Sequence, residues 1–150
     1  MSLFVRLFAS HVCGDILSYS PFLARVKRSE GILPKAGGLI LHCLVHGLFV
    51  WVWLWDLEWE LKIWVSLYVF VTHFFIDFAR VWVESAVIDR QEFVILKRKN
   101  ILLYFISRGD GETETFMKKY LGKWLMLNVG DQCCHILAIG LFVLACSTPS

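Results

Sequence analysis

The sequence predicts an all-α integral membrane protein, a transmembrane four-helix bundle with one additional helix at the cytoplasmic side of the membrane. Of the 150 residues, 57% are hydrophobic and only 19% are charged, whereas soluble domains carry roughly 25% charged residues. Four apolar stretches reach or approach the roughly 20 residues that a helix needs to cross a bilayer. The length fits a single membrane domain over residues 1–150.

Four apolar segments are the predicted spans, and they cover residues 2–19, 38–55, 61–83 and 125–146. The first is the weakest, because Arg6 and Asp15 interrupt it. Residues 86–106 mix apolar and charged side chains, which favours a helix lying in the membrane interface over a fifth span. Residues 108–114 are predicted to form a polar turn before the last helix.

The distribution of basic residues predicts the orientation in the membrane. All of the 15 Lys and Arg residues except Arg6 and Lys62 lie between the first two spans or in the region from Arg80 to Lys123. The connection between the second and third spans, residues 56–60, is acidic instead. Because basic loops stay in the cytoplasm, we expect a multi-pass protein with both termini outside.

Ionisable side chains inside the predicted spans follow a single spacing. Such residues are costly in a membrane and usually functional. Each span carries two of them four positions apart, which places both on one face of a helix, one turn apart. The eight residues are His11, Asp15, His42, His46, His73, Asp77, Asp131 and His135. They include all five histidines of the chain.

The alternating direction of the spans puts the four pairs at a similar depth. The pairs lie near the C-terminal ends of the first and third spans and near the N-terminal ends of the other two. With a helical rise of about 1.5 Å per residue, all should meet nearer the cytoplasmic face. Gly14, Gly47 and Gly130 adjoin these pairs and are expected to let the helices approach closely.

A cluster of imidazoles and carboxylates favours a transition metal. We expect a divalent ion, zinc first, with manganese and iron as alternatives. One tetrahedral zinc needs about four ligands, so eight candidates suit two ions bridged by a carboxylate, as helical bundles often build them. A single His–Asp pair is more often an ordinary polar contact, but four pairs at one depth favour metal. Asp15 and Asp131 are alternative candidates for a general base.

Several other features have simpler explanations. The five cysteines are odd in number and lie in apolar segments, which predicts free thiols packed as small hydrophobic residues. Gln132 is either a partner of the candidate ligands or an ordinary interhelical hydrogen-bonding group. The basic run at residues 97–99 is typical of a solvated or lipid-facing patch, and no specific binding of nucleic acid is expected.

The four pairs stand in four short motifs with a recognisable order: His-Val-Cys-Gly-Asp (11–15), His-Cys-Leu-Val-His-Gly (42–47), Thr-His-Phe-Phe-Ile-Asp (72–77) and Asp-Gln-Cys-Cys-His (131–135). Together they resemble the DUF3307 family of small bacterial and phage membrane proteins, over nearly the whole chain. That family has no assigned activity. More distantly, the pattern is similar to bacterial inner-membrane metal-dependent hydrolases of the YdjM type. The resemblance implies a location in the bacterial inner (cytoplasmic) membrane.

Three functions are compatible with these residues. The first is a metal-dependent hydrolase with a metal-activated water, acting on a lipid, a phosphoester or a related ester near the cytoplasmic leaflet. The second is a non-enzymatic scaffold, sensor or partner-binding subunit, alone or as a homo-oligomer, in which bound metal holds the helices together. For this function, a metal site closed by protein ligands is expected. The third is a metal or proton pathway, which requires polar residues to continue outward, where the sequence is apolar.

Overall fold

The structure, a computed structural model, describes residues 1–89, 98–107 and 111–147. Six helices follow one another along the chain: α1 (Leu3–Ser18), α2 (Pro21–Lys27), α3 (Ile32–Trp53), α4 (Trp59–Val87), α5 (Arg98–Ser107) and α6 (Gly111–Ser147). The described part of the chain contains no β-strand. The prediction of an all-α protein is therefore confirmed.

Three of the helices, α3, α4 and α6, are long and apolar enough to cross a membrane. The prediction of transmembrane helices is confirmed for these three. The first predicted span forms α1, but with 16 residues it is shorter than the roughly 20 that a helix crossing the hydrocarbon core needs. Length alone therefore does not assign α1 to the membrane-crossing helices.

Apolar side chains cover much of the outside of the protein, and polar side chains are buried at its centre. Leu48, Leu137 and Leu144 are each about two-thirds exposed, whereas His46 and His73 are almost completely buried. A soluble protein shows the opposite distribution, because water drives apolar side chains inward. The exposed apolar surface fits a lipid bilayer as the surroundings of these helices.

Helix α2 was not predicted from the sequence, although its start carries a recognisable signal. The Ser20 hydroxyl accepts a hydrogen bond from the backbone N–H of Leu23 at 3.1 Å, and Pro21 occupies the first helical turn. Both residues are favoured at these positions. The helix packs closely on α3, where a Cβ atom at Gly38 would come within 2.9 Å of Val26.

Helix α6 begins earlier than predicted. It starts at Gly111, so the predicted polar turn is wrong over residues 111–114, and residues 108–110 lie outside the described part. Glu112 and Glu114 favour a helix N-terminus, because they complement its dipole, and Glu114 pairs with Lys118 one turn later at 2.6 Å. At about 1.5 Å per residue, the 37 residues of α6 are longer than a bilayer core, which is about 30 Å thick.

The segment predicted as one interfacial helix, residues 86–106, is divided. Its first two residues continue α4, which ends at Val87, so the predicted start is wrong. Ile88 and Asp89 follow α4 and are not helical, residues 90–97 lie outside the described part, and α5 covers residues 98–106. Helix α5 contacts α6 and exposes Leu102, Phe105 and Ile106. Its position in a membrane interface stays a prediction.

Packing places two apolar cores on either side of a polar centre. Helix α1 contacts α3 and α6, while α4 also contacts α3 and α6. One core joins these four helices through Leu7, Val50, Leu54, Val65 and Ile139. The other lies between α4 and α6, where the buried residues are Ile88, Phe116, Met117 and Tyr120. Along α4 and α6, the paired His and Asp residues lie between the two cores.

Candidate metal centre

Four helices bring all eight paired ionisable residues together. Helix α1 carries His11 and Asp15, and α3, α4 and α6 carry the other three pairs. Their i, i+4 spacing turns both members of a pair to the interior. Seven of the eight are buried, and only the Asp15 side chain, 32% exposed, reaches solvent-accessible space. We name the set the His/Asp cluster; its members are His11, Asp15, His42, His46, His73, Asp77, Asp131 and His135.

Asp15 lies against histidines of two helices. Its carboxylate oxygens are 3.3 Å from Nε2 of His46, 3.4 Å from Nε2 of His11 and 3.7 Å from Nε2 of His42. Of these histidines, only His11 belongs to the same helix as Asp15. Asp15 therefore joins α1 and α3 at the centre of the protein.

Asp77 has an equivalent position on the other side. Its oxygens are 3.4 Å from Nε2 of His42, 3.5 Å from Nε2 of His135 and 3.9 Å from Nε2 of His73. Because His42 approaches both Asp15 and Asp77, the two carboxylates share a histidine. The cluster is thus continuous across all four helices.

The imidazole rings pack directly on one another. The ring centroids of His46 and His73 are 3.8 Å apart, and those of His73 and His135 are 4.1 Å apart. His11 lies 4.6 Å from His135, and His42 lies 4.6 Å from His46. Like charges at such separations repel strongly in a low-dielectric interior, so the five rings cannot all be protonated together. Neutral imidazoles offer nitrogen lone pairs, which are the groups that bind transition metals.

Three overlapping groups of side chains have ligand atoms within 4.8 Å of one another: His11–Asp15–His46–His73, His42–His73–Asp77 and Asp77–Asp131–His135. Each group brings together side chains from at least two helices. Neighbouring groups share His73 or Asp77. Shared ligands are a feature of dinuclear sites in helical bundles.

Buried polar atoms that lack a hydrogen bond indicate whether the cluster is suited to a metal. Within the described residues, six buried side-chain N or O atoms have no hydrogen bond, and four of these belong to the cluster. They are Nδ1 and Nε2 of His46, Nε2 of His73 and Oδ1 of Asp131. A buried polar atom without a partner is costly, and a coordinated ion would satisfy such atoms. The donor set therefore fits a divalent transition metal.

Two cations adjoin the carboxylates of the cluster. The Lys27 ammonium, on α2, lies 2.5 Å from Oδ2 of Asp77. Burial lowers the pKa of Lys27, and the Asp77 carboxylate partly offsets this effect. Nη1 of Arg80 lies 3.6 Å from Oδ2 of Asp131, while its Nη2 donates to Oδ1 of Asn128 at 2.8 Å. The two cations offset part of the negative charge that the carboxylates bring into the interior.

Two further side chains orient members of the cluster. The Ser18 hydroxyl is 2.8 Å from Nδ1 of His42, which leaves Nε2 of that ring directed at the carboxylates. The Gln132 amide lies 3.2 Å from Nε2 of His11 and donates to Oδ2 of Asp15 at 3.1 Å. Gln132 is thus a partner of the candidate ligands. Such surrounding hydrogen bonds commonly fix the orientation of metal-binding side chains.

One of the three glycines predicted to permit close approach does so. A Cβ atom at Gly14 would come within 2.5 Å of Nδ1 of His46, so α1 and α3 meet there only because the residue is glycine. The prediction is wrong for Gly47 and Gly130, where an added Cβ would meet nothing within 4 Å. Each of these two adjoins a residue of the cluster in sequence, but among the described residues no neighbouring helix lies within 4 Å of the added Cβ.

The cysteines are free thiols, as predicted, and none belongs to a candidate ligand group among the described residues. Cys43 is buried and packs as a small apolar residue. Cys133, Cys134 and Cys146 are exposed on α6 and do not pack against other helices in the interior. The helix turns the cluster residues of α6 inward, and this rotation leaves Cys133 and Cys134 on its outer side.

A cavity of about 290 Å³ adjoins the cluster on the side that carries α2. Four cluster residues line it: Asp15, His42, Asp77 and Asp131. The cavity is also lined by the cations Lys27, Arg28 and Arg80. The cluster is therefore accessible from one side and is not fully enclosed by protein.

Comparison with known proteins identifies the family. The family described as "Protein of unknown function (DUF3307)" matches residues 3–149. The chain belongs to the DUF3307 family. No curated protein and no solved structure matches it. The more distant similarity to YdjM-type hydrolases stays a prediction.

Three polar residues of this DUF3307 protein contact the cluster without having been predicted to do so. The position of Arg80 could have been predicted from the sequence, because a cation three positions after Asp77 in an apolar helix is unusual and indicates a polar partner. The sequence gives no such indication for Ser18 and Lys27. Their contacts with His42 and Asp77 form only when the chain after α1 folds back onto the bundle. The candidate general bases, Asp15 and Asp131, both line the cavity.

Proposed function

We propose that this DUF3307 protein is a membrane-embedded, metal-dependent hydrolase that acts on a phosphoester or related ester near the cytoplasmic leaflet. The observation that carries the proposal is the open cavity against the His/Asp cluster. A purely structural metal site is expected to be closed by protein ligands, whereas a catalytic site keeps a position accessible to substrate. The cluster has carboxylates and imidazoles in contact with such a space.

The proposed arrangement in the membrane is a four-helix bundle of α1, α3, α4 and α6 in the bacterial inner membrane. The basic residues support an orientation with both termini outside and α2 at the cytoplasmic side. The cavity then opens toward the cytoplasm. On the opposite side, the apolar core around Leu7, Val50 and Ile139 closes the bundle one helical turn from the cluster. This closure argues against a metal or proton pathway.

The proposed cofactor is a divalent transition metal, with zinc first and manganese or iron as alternatives. The overlapping ligand groups and the unsatisfied atoms of His46, His73 and Asp131 support one or two ions. When bound, the metal supplies a water of lowered pKa and polarises an ester oxygen. The Asp77 carboxylate, which belongs to two groups, would hold neighbouring ions together, whereas the His73 imidazole would bind one of them.

We favour Asp15 as the general base instead of a metal ligand, so the group His11–Asp15–His46–His73 would bind metal through its three histidines. Asp15 is the one carboxylate of the cluster that is appreciably exposed, and it lines the cavity. A proton taken up there has a route to water. Asp77 also lines the cavity, but it is less suited as a base because its Oδ2 is paired with Lys27 at 2.5 Å. Asp131 is the alternative, since it also lines the cavity and has one oxygen without a hydrogen bond.

Hydrolysis by the full-length protein in detergent tests the function. We expect the metal-loaded protein to hydrolyse an aryl phosphomonoester or phosphodiester, and we expect Asp15→Asn to retain bound metal while losing at least about 100-fold in turnover. Asp56→Asn, in the loop between α3 and α4, is the matched control and should be fully active. A metal-loaded wild-type protein without activity on either ester would contradict the hydrolase proposal.

A non-enzymatic role is the second candidate, and the exposed face of α5 favours it. Leu102, Phe105 and Ile106 are exposed there, beside the long helix α6. This surface could receive a protein partner while the metal holds the bundle together. Two results together would favour this scaffold over the enzyme. The protein would bind metal without hydrolysing an ester, and every substitution in the cluster would act only by unfolding the protein.

A further inference from the structure

The cavity beside the His/Asp cluster has two chemically different parts. Its inner wall is polar and charged, with Lys27 and Arg80 facing the carboxylates of Asp77 and Asp131. Its other lining includes Ile16 and Tyr19, at the end of α1 and just beyond it. A ligand that fills the whole cavity therefore meets a charged region and an apolar region.

The charge of the inner wall selects an anion once metal is bound. Of the three cations that line the cavity, Arg28 is paired with Glu84. Lys27 and Arg80 therefore remain to balance the three carboxylates of the cluster. A single divalent ion makes the local balance positive when the histidines are neutral, and a second ion increases the excess. An uncompensated charge in a low-dielectric site is costly. A phosphate group would restore the balance.

Arg80 is placed to bind such a group. Its Nη2 is held by Asn128 at 2.8 Å, which fixes the plane of the guanidinium. Its side chain lines the cavity and is 23% exposed, and its Nη1 is only loosely paired with Asp131 at 3.6 Å. A guanidinium with unused donors is well suited to phosphate oxygens.

The apolar part of the lining reaches the lipid-facing surface. Ile16 is 50% exposed and Tyr19 is 41% exposed, although both line the cavity. Leu17 and Phe22, beside them, are about 70% exposed. In the proposed membrane arrangement these side chains lie at the cytoplasmic interface, so a hydrocarbon chain could pass from the cavity into the leaflet without crossing water.

From these observations we infer that the substrate is an amphiphilic phosphoester, a membrane lipid whose phosphate binds Lys27 and Arg80 and whose chain leaves past Ile16 and Tyr19. This inference rests on the proposed function and specifies the substrate class of the same site. It assigns Lys27 and Arg80 to substrate binding. Ile16 and Tyr19 determine the preference for a lipid over a soluble ester.

Binding of two probes to the full-length protein in detergent tests the inference. Short-chain dihexanoyl phosphatidate carries both phosphate and hydrocarbon, whereas glycerol 3-phosphate carries the phosphate alone. We expect phosphatidate to bind at least about tenfold more tightly, because methylene groups enter the apolar part. Arg80→Gln should weaken the binding of both probes by about tenfold or more, and Ile16→Gln should weaken only that of phosphatidate.

Two surface variants are the matched controls. Arg25→Gln removes a charge from an exposed position of α2, and Leu17→Gln changes an apolar neighbour of Ile16, yet neither residue lines the cavity. Both variants should bind the probes as the wild type does. The thermal midpoint of each variant shows whether the fold is retained, and Arg80→Lys supplies a milder change if Arg80→Gln unfolds.

The binding results distinguish a failure of the lipid assignment from a failure of the hydrolase proposal. Equal affinity for the two probes would overturn the lipid assignment, and hydrolysis of a soluble ester would then still support the hydrolase. Failure of metal-loaded protein to bind either probe would overturn the phosphate site. The same comparison on chelator-treated protein tests the charge argument, because without the ion the three carboxylates outnumber the two cations. We expect both probes to bind more weakly there, and unchanged affinity would contradict the argument.

Discussion

Gly14 of α1 lies directly against the imidazole ring of His46 on α3, with no room for a methyl group between them. The contact brings the two helices close enough for Asp15 to approach His42 and His46. A glycine inside a helix is usually unfavourable relative to alanine. Here its absence of a side chain is what allows the cluster to form.

Gly14→Ala is therefore expected to destabilise the protein. Inserting a methyl group into a packed interior costs about 1–3 kcal/mol, and displacement of the His46 ring should also lower metal binding. Gly47→Ala is the matched control, because its added methyl group meets nothing within 4 Å. Thermal midpoints and metal content in detergent provide the measurement. Equal behaviour of the two variants would contradict the close contact.

Ser18→Ala tests the orientation of His42. Loss of the hydroxyl at 2.8 Å from Nδ1 frees the ring, and loss of such a supporting contact typically lowers metal affinity by about 10- to 100-fold. Ser10→Ala is the control, since the Ser10 hydroxyl is also buried on α1 but donates to the backbone carbonyl of Leu7. Competition with a chromophoric chelator measures the affinity. Identical affinities would show that Ser18 does not position His42.

The ion pair of Arg28 with Glu84 should fix α2 to the end of α4. Glu84 is buried, and the guanidinium binds both of its carboxylate oxygens. Removing one partner of a fully buried pair costs about 3–5 kcal/mol. Arg28 is 21% exposed, so we expect Glu84→Ala to cost less than that but still to lower the thermal midpoint. Asp56→Ala, which breaks the exposed pair with Arg6, should have a small effect. Similar midpoints for both variants would contradict this assignment.

The orientation in the membrane can be tested by labelling single cysteines. We expect a cysteine at Arg25 to react with an impermeant thiol reagent only after cells are permeabilised, and a cysteine at Asp56 to react in intact cells. The five native cysteines must first be replaced, and that variant without cysteines is the background control. Labelling at position 25 in intact cells would reverse the proposed orientation.

The sequence predicts much of the fold because hydrophobicity and charge are local properties. The i, i+4 spacing places His73 and Asp77 on one face of a helix without knowledge of the packing, and the cluster brings the four such pairs together. Their role as metal ligands stays a prediction. The rotation of a helix about its axis is a tertiary property, and for this reason Gly47 and Gly130 were assigned wrongly.

The start of α6 shows a different limit. Glycine and polar residues favour a turn on average, but Glu114 forms an ion pair with Lys118 and Phe116 is buried in the second apolar core. These contacts favour the helix over a turn. Lys27 was missed for a similar reason, because only the folded position of α2 brings it to Asp77.

Elemental analysis of the full-length protein, purified in detergent, decides whether the His/Asp cluster holds metal. We predict one or two transition-metal ions per chain, a large loss in His42→Ala and in Asp131→Ala, and a lower thermal midpoint after chelation, because metal binding contributes to the free energy of folding. A protein that purifies without metal, takes up none when zinc or manganese is added, and melts at the same temperature with and without chelator would contradict the metal centre.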